Sequence, residues 1–254
     1  MTTLAFEPLW RDVAYAIRSY RRAPGVALTA AISLGLAIGA TTAIFSLLNA
    51  LVLRPLPVRD PASLVQVSTS TRLQGEAQLT YRLFRELAAR QQVFSDVIGT
   101  WGNSVATVND NGAVRKALVW AGTGNLHDAL GIAPTAGRLL TERDMSLETA
   151  TAEPVAVMGH GFWQRHYHGD RSIVGRTIRI ESQPFTIVGV TSAGFTGFSV
   201  VTEPDLTIPL TAVPLLSGRS PSSFATSEAR GVRMMGRLKP TVTLDQARAQ
   251  LATV

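Results

Sequence analysis

This sequence contains an apolar run of 28 residues without a charged side chain, residues 26–53. About 20 apolar residues are enough for a helix to cross a bilayer, whereas the apolar region of a cleaved signal peptide has about 7–15. The run also ends without a small-residue cleavage site, since Arg54-Pro55-Leu56-Pro57 follows it directly. We therefore interpret the run as a transmembrane helix, in preference to a signal peptide or the buried core helix of a soluble protein.

The run divides the chain into three predicted segments. Residues 1–25 are predicted to form a cytoplasmic amphipathic helix on the membrane surface, residues 26–53 the transmembrane helix, and residues 54–254 an extracytoplasmic domain. Arginines near the ends of the run indicate this orientation, because basic residues are enriched on the cytoplasmic side of a membrane. Four of them precede the run and two follow it, namely Arg11, Arg18, Arg21 and Arg22, then Arg54 and Arg59.

Small residues recur every four positions along the run and form a stripe on the predicted helix. Such a stripe lets a second helix approach closely in lipid, and its centre has the GxxxG spacing. We predict that the stripe packs against other transmembrane helices or a second copy of the chain. The alternative is that glycine and alanine are simply frequent in membrane helices. The helix-packing stripe consists of Ala27, Ala31, Gly35, Gly39 and Ala43.

Polar side chains lie in the second half of the same run, at Thr41, Thr42, Ser46 and Asn49. A single spanning helix gains little from them, whereas a bundle of helices can satisfy them across its interfaces. They therefore add to the prediction that this helix packs with others.

Composition and motifs argue against several function classes. The sequence has 24 basic and 18 acidic residues, but no basic cluster with interleaved aromatic residues, so no nucleic-acid partner is predicted. It contains no cysteine, which leaves neither disulfides nor thiolate chemistry. Neither a GxxxxGK[ST] phosphate loop nor a G-x-S-x-G nucleophile elbow occurs.

Three of the four histidines, His160, His166 and His168, fall within nine residues. A zinc site needs three or four converging ligands, and here the histidines bracket a short predicted helix on which His166 shares a face with Phe162. We expect them to pack or to lie at the surface. Because no nucleophile, base and orienting group occur together, we predict no enzymatic activity, no metal and no cofactor.

Residues 54–254 mix helix and strand signals without regular alternation, which predicts an α+β fold. Asp110-Asn111-Gly112 predicts the turn of one hairpin and Ser182-Gln183-Pro184 that of a second. Thr80 is predicted to cap a helix that ends near Arg90, and Thr243-Leu244-Asp245-Gln246 has the spacing of a capping box.

Two stretches are predicted to lack regular structure. Residues 131–137 contain Gly131, Pro134 and Gly137, which predict a loop, and residues 214–229 are rich in Ser, Gly and Pro, which predicts a mobile loop. The chain stops inside the last predicted helix, and we therefore expect a fragment that is truncated at its C-terminus.

The order of short motifs along the chain is more specific than any one of them. Arg-Arg-Ala-Pro-Gly at 21–25 and Arg-Pro-Leu-Pro at 54–57 flank the apolar run. Leu-Gly-Ile-Ala-Pro at 130–134, Phe-Trp-Gln-Arg at 162–165 and Gly-Arg-Leu-Lys-Pro at 236–240 follow. The series resembles the N-terminal part of MacB/FtsX-type ABC transporter permeases. It looks closest to the large duplicated orphan permeases of acidobacteria and similar soil bacteria.

The resemblance implies a permease subunit of a mechanotransmission or efflux system in the bacterial inner membrane. In that family the first spanning helix is followed by an extracytoplasmic domain, the MacB-like periplasmic core, and then by three more spanning helices. The implied partners are a cytoplasmic ABC ATPase, other transmembrane helices or a second permease copy, and membrane lipid. The sequence departs from this pattern because it ends before a second spanning helix.

Two other interpretations stay open at this point. The first is a stand-alone, membrane-anchored extracytoplasmic domain for interaction or sensing, which would fold and act without a partner. The second is a membrane-anchored enzyme such as a hydrolase, for which the sequence offers no catalytic constellation.

Overall fold

The structure, a computed structural model, describes residues 24–48, 58–71, 75–146, 154–197 and 202–252. The chain separates into two compact units, Met1–Pro55 and Leu56–Val254. The amphipathic helix predicted before the apolar run lies outside the described residues, as do positions 49–53 of the run itself.

The first unit contains helix α1, Pro24–Leu48. Pro24 and Gly25, which were predicted to belong to the segment before the run, lie in this helix, because a proline without an N–H is tolerated in the first turn. Among the described residues, Pro24–Ser46 is the one helix long and apolar enough to cross a membrane. Its 23 residues span about 35 Å at 1.5 Å per residue, which exceeds a hydrocarbon core of about 30 Å.

The second unit, called the domain from here on, combines strands with short helices. Its helices are α2 Tyr81–Arg90, α3 Leu126–Ala129, α4 His160–Tyr167, α5 Ser223–Thr226 and α6 Leu244–Leu251. Short 3-10 turns lie at Pro61–Ser63, Glu142–Met145, Arg171–Ile173 and Leu210–Ser217. Its strands are β1 Leu64–Val67, β2 Thr69–Thr71, β3 Gly75–Ala77, β4 Leu79–Thr80, β5 Phe94–Asp110, β6 Ala113–Gly122, β7 Pro134–Gly137, β8 Val155–Met158, β9 Thr177–Ile180, β10 Gln183–Thr191, β11 Leu206–Pro209 and β12 Arg230–Leu238.

One mixed sheet contains ten of the described strands, which confirms the predicted α+β fold. Its main path runs β1-β12-β5-β6-β11-β8-β10-β7, with β4 beside β12 and β9 beside both β10 and β5. The pairs β6–β11 and β8–β10 are parallel and the others antiparallel. Because β9 joins β10 to β5, the strands β5, β6, β11, β8, β10 and β9 form a closed circuit of pairings.

The main core is built from side chains that alternate along these strands. In β9 and β10 the residues Ile178, Ile180, Phe185 and Ile187 are completely or almost completely buried, while the residues between them are more exposed. A second, smaller apolar cluster lies apart from this core. It consists of Ile98, Leu126, Ala129, Leu130 and Phe195, with Val58, Leu64, Ile132 and Met235 packed against them.

Helix α2 begins and ends where the sequence predicts. The Oγ1 of Thr80 accepts a hydrogen bond from the Leu83 amide, and the helix buries Tyr81, Phe84 and Leu87 against the domain. Helix α6 also begins with its predicted capping box, formed by Thr243 and Gln246. Its buried face is narrow, because Ala247 is buried whereas Leu244 is 44% exposed.

Replacing Thr80 with alanine is expected to lower the free energy of unfolding by about 1 kcal/mol. The substitution removes the acceptor that lies 3.2 Å from the Leu83 amide nitrogen and leaves a first-turn donor without its partner. Denaturant unfolding of the full chain in detergent, followed by tryptophan fluorescence, measures the change. The control is Thr80→Ser, which keeps the hydroxyl; an equal loss in both variants would contradict a capping role.

Both predicted hairpins form, but the turn of the second is displaced. The first connects β5 and β6 through Asn111 and Gly112, as predicted. In the second, Glu181 and Ser182 form a two-residue turn with φ of 47° and 69°, and Gln183 already pairs with Ile180. The prediction around Ser182-Gln183-Pro184 was therefore wrong by one residue.

Two stretches predicted as loops contain regular structure. Residues Pro134–Gly137 form the edge strand β7 against β10, although proline and glycine are poor strand formers. The predicted mobile loop over residues 214–229 contains part of a 3-10 turn and the short helix α5, whose Phe224 is buried. The Phe224 ring stacks on Tyr81 with the ring centroids 4.6 Å apart, and this contact fixes the segment on α2.

Strand β10 passes close to the backbone that follows β7 at Gly189. A Cβ atom on Gly189 would lie 2.0 Å from the Arg138 carbonyl oxygen and 2.8 Å from the carbonyl oxygen of Ala136. These are backbone atoms of a paired strand and its continuation, which cannot move away as a flexible side chain can. The close approach therefore requires glycine at this position.

Candidate functional site

The small-residue stripe lies along helix α1 with nothing packed on it in the described structure. Ala31, Gly35, Gly39 and Ala43 are exposed, and Ala27 lies in the first turns of the same helix. A Cβ atom at Gly35 or Gly39 would meet no atom within 4 Å. Because its side chains are small, the stripe leaves a shallow groove along the helix, where a second helix can approach the backbone closely.

The threonines of α1 are satisfied within the helix. The hydroxyls of Thr41 and Thr42 donate to the carbonyl oxygens of Ala37 and Ile38, each at 2.8 Å. This is the usual back-bonding of threonine to the residue four positions earlier. Their donors therefore need no partner helix, and these two residues do not add to the prediction of helix packing. Of the other polar positions in the run, Asn49 lies outside the described residues.

The three clustered histidines lie in and just after α4 and contact aromatic rings or end the helix. The ring centroid of His160 lies 5.6 Å from Trp163, and that of His166 lies 4.5 Å from Phe162. His168 follows the helix in the left-handed conformation, with φ of 51°. In the part of the chain that the structure describes, no group of three His, Asp or Glu residues is arranged to hold a metal ion.

The fourth histidine, His127 in α3, is completely buried, and no pattern in the sequence predicts this. Its ring lies 5.5 Å from the ring of Phe195, centroid to centroid, beside the smaller apolar cluster. Neither ring nitrogen has a hydrogen-bond partner among the described residues. Burial alone lowers the pKa of His127 to about 4, because the charged form would lose its solvation.

Arg237 is a second buried group that the sequence did not single out. In the sequence it is visible only as part of the motif Gly-Arg-Leu-Lys-Pro at 236–240. It lies in β12, is 7% exposed, and contacts three segments that are far apart in sequence. Its Nη1 donates to the Asp60 carbonyl oxygen at 2.8 Å and to Ser63 Oγ at 2.7 Å, and its Nη2 donates to the Ala129 carbonyl oxygen at 2.7 Å. We call Arg237, Asp60, Ser63 and Ala129 the Arg237 cluster.

Two open clefts of similar size lie on the domain. One of about 710 Å³ is lined by β1, α2 and α6, and includes the apolar side chains Leu83, Leu87 and Leu251. The other, of about 680 Å³, is lined by residues from α2 to Met145, including Arg85 and Glu142. Among the described residues that line the two clefts, no hydrogen bond joins a hydroxyl to a carboxylate or a histidine.

Three solved structures share the fold at low sequence identity. The periplasmic region of MacB from Actinobacillus actinomycetemcomitans is 16% identical with a TM-score of 0.54, and the match covers 75% of this chain and 79% of that one. A domain of a putative permease protein from Porphyromonas gingivalis is 14% identical with a TM-score of 0.54, over 75% and 82%.

The third structure is the extracellular domain of the noncanonic ABC-type transporter YknZ from Gram-positive bacteria. It is 12% identical with a TM-score of 0.52, and the match covers 73% of this chain and 87% of that one. No curated protein gives a significant match to the sequence.

The family model for the MacB-like periplasmic core domain matches residues 27–254. This chain therefore belongs to the MacB-like periplasmic core domain family of MacB/FtsX-type permeases, which confirms the resemblance drawn from the order of motifs. The domain is a permease-associated extracytoplasmic domain, and family membership together with helix α1 indicates a protein of the inner membrane. The closer likeness to acidobacterial permeases stays a prediction.

Proposed function

We propose that this chain is part of a permease subunit in an ABC-type mechanotransmission or efflux system. In this proposal the domain couples the motion of transmembrane helices to an extracytoplasmic substrate or partner. The supporting observation is that one family match runs from residue 27 to residue 254 and so includes both the apolar helix and the domain. The described domain offers contact surfaces without a catalytic constellation, which is compatible with mechanical coupling.

The proposal includes a cytoplasmic ABC ATPase as the partner that supplies the energy. The chain has no phosphate-binding loop of its own, so ATP hydrolysis has to come from another polypeptide or segment. A second permease copy or further transmembrane helices, together with lipid, would surround helix α1. The N-terminus would lie in the cytoplasm and the domain outside it, in agreement with the arginines that precede the apolar run.

Affinity purification of the full-length protein that contains this chain, from native membranes and after chemical crosslinking, tests the proposal. We expect an ABC ATPase to be recovered in an amount comparable to that of the chain, crosslinked to its cytoplasmic side. Recovery of the chain without an ATPase, as a folded and monodisperse species, would contradict the proposal. That outcome would favour the stand-alone interaction or sensor domain.

The absence of cysteine makes the orientation directly testable, because no native thiol has to be removed first. In intact cells, a membrane-impermeant maleimide is expected to label Val114→Cys, at a position that is 62% exposed on the domain. It is expected to label Thr3→Cys only after the cells are lysed. The reverse pattern would overturn the orientation, and the unmodified chain serves as the unlabelled control.

Leucine at Gly39 is expected to weaken the association of α1 with its partner helix about tenfold. A side chain there fills the groove and holds the helices apart, whereas association in lipid depends on close packing, and overpacking a contact costs about 1–3 kcal/mol. Ala37→Leu, which enlarges a position outside the stripe on the same helix, is the matched control. Energy transfer between labelled chains in vesicles measures association; equal loss in both variants would show that the stripe is not the contact.

A further inference from the structure

The domain begins with a short segment that is held to it almost entirely by long-range contacts. This lead segment, residues 58–63, is the first described part of the chain after helix α1. Its backbone makes one bond to α3 and the loop after it, from the Arg59 amide to the Leu130 carbonyl oxygen at 2.9 Å. Its first residue, Val58, packs against the smaller apolar cluster. The segment has no strand partner of its own, since β1 begins only at Leu64.

The guanidinium of Arg237 supplies the remaining polar contacts of the lead segment. Asp60 has a left-handed backbone, with φ of 41° and ψ of 69°, and its carbonyl oxygen accepts from Arg237 and from Ser63 Oγ. Ser63 Oγ in turn accepts from Arg237. The Nη1 group of Arg237 thus bonds both ends of the turn, while its Nη2 group is left for the Ala129 carbonyl oxygen.

Strand β12 joins this cluster to the centre of the domain. It pairs with β1 on one side and with β5 on the other, and Arg237 itself pairs with Leu64 and Asp96 in the two ladders. Its Nε also lies 3.5 Å from the Asp96 carboxylate. The third bond of the cluster, to the Ala129 carbonyl oxygen, adds α3 to the same junction. A displacement of the lead segment would therefore act at once on β12, β5 and α3.

We propose that Arg237 is a positioning residue that makes the lead segment and strand β12 one mechanical unit. This inference rests on the proposed function, because Arg237 is then the residue through which motion of the preceding chain is transmitted to the domain. Without the guanidinium, the lead segment loses its side-chain hydrogen bonds to β12 and keeps the Arg59–Leu130 bond and the packing of Val58, so that it bends when the preceding chain moves. With it, the same motion rotates or shifts the sheet.

Hydrogen–deuterium exchange of the full chain in lipid nanodiscs tests this assignment. In Arg237→Lys the charge is kept but one ammonium cannot reach all three acceptors, so exchange at the Arg59 and Ser63 amides is expected to rise about tenfold. Peptides from the β5–β6 hairpin are expected to keep their protection. The matched control is Arg233→Lys, four residues earlier on the same strand and exposed, which is expected to change neither region.

A second variant, Ser63→Ala, removes one acceptor of the guanidinium and the hydroxyl that donates to the Asp60 carbonyl oxygen, and it leaves the other two bonds of Arg237 in place. We expect it to raise exchange in the lead segment severalfold, less than Arg237→Lys does. Unchanged exchange in the lead segment of either variant, or an equal rise over the whole domain, would overturn the proposal. The measurement needs no ATPase, so its failure is distinguishable from failure to recover an ATPase with the chain.

Discussion

Lowering the pH from 6.5 to 4 is expected to reduce the free energy of unfolding of the domain by about 3 kcal/mol through His127 alone. The ring is completely buried with both nitrogens unpartnered, and burial lowers its pKa from 6.5 to about 4. Between these values the unfolded chain binds a proton that the folded domain does not accept. The stabilisation is therefore fully present above pH 6.5 and is lost progressively as the pH falls towards 4.

Denaturant unfolding of the full chain in detergent at several pH values measures this effect. In His127→Leu the part of the pH dependence between 6.5 and 5 is expected to disappear, because no group at this position binds a proton. Leu126→Ala, in the same apolar cluster, is the control and is expected to lower stability equally at every pH. If the same pH dependence remains in His127→Leu, groups other than His127 cause it, and the prediction is wrong.

Alanine at Gly189 is expected to destabilise the domain by about 3 kcal/mol, although the change adds one methyl group. The added Cβ would lie 2.0 Å from the Arg138 carbonyl oxygen, 2.7 Å from the Arg138 amide nitrogen and 2.8 Å from the Ala136 carbonyl oxygen. All three are backbone atoms of β7 or the residue after it. Relief of the contact therefore requires β7 to separate from β10.

Gly112→Ala provides the comparison for this variant. A Cβ at Gly112 meets nothing within 4 Å, and its φ of 89° leaves only the strain of a left-handed backbone, about 1–2 kcal/mol. Chemical unfolding followed by tryptophan fluorescence gives both values. Equal losses would mean that backbone conformation, and not the close approach of the strands, explains the requirement for glycine at position 189.

The parts of the fold that sequence reasoning predicted are those decided by neighbouring residues. Thr80 caps α2 because its hydroxyl lies three residues before the amide it accepts from. Asn111 and Gly112 form the first hairpin turn because both adopt a left-handed backbone that these residue types tolerate. In both cases the deciding interaction lies within a few residues, and the pattern is visible in a single sequence.

The parts that were wrong are decided by distant partners. Strand β7 contains a proline and ends in a glycine, but it pairs with Gly189 and Val190, more than 50 residues away. The second hairpin turn is displaced to Glu181 and Ser182 because the alternating buried side chains of β9 and β10 fix the register, and Pro184 is accommodated within a strand. Local turn signals do not contain this information.

The features of the candidate site also divide into those decided by neighbouring residues and those decided by distant ones. The stripe on α1 follows from the spacing of glycine and alanine alone, and its packing role stays a prediction. Arg237 and His127 could not be identified, because burial is a property of the assembled domain. Nothing adjacent to either residue marks it, and the acceptor atoms of Arg237 are mostly backbone carbonyl oxygens.

The pairing of β1 with β12 has a consequence for how the protein is made. The first strand of the domain, β1, pairs with β12, the last strand of the described domain. The Asp60 carbonyl oxygen belongs to a residue 177 positions before Arg237, whose guanidinium binds it. Contacts of such long range slow folding, because a large loop has to close before they form. The beginning of the domain therefore waits, unpaired, until almost the whole of it has been synthesised. During that interval we expect its unpaired strand edge to be prone to aggregation.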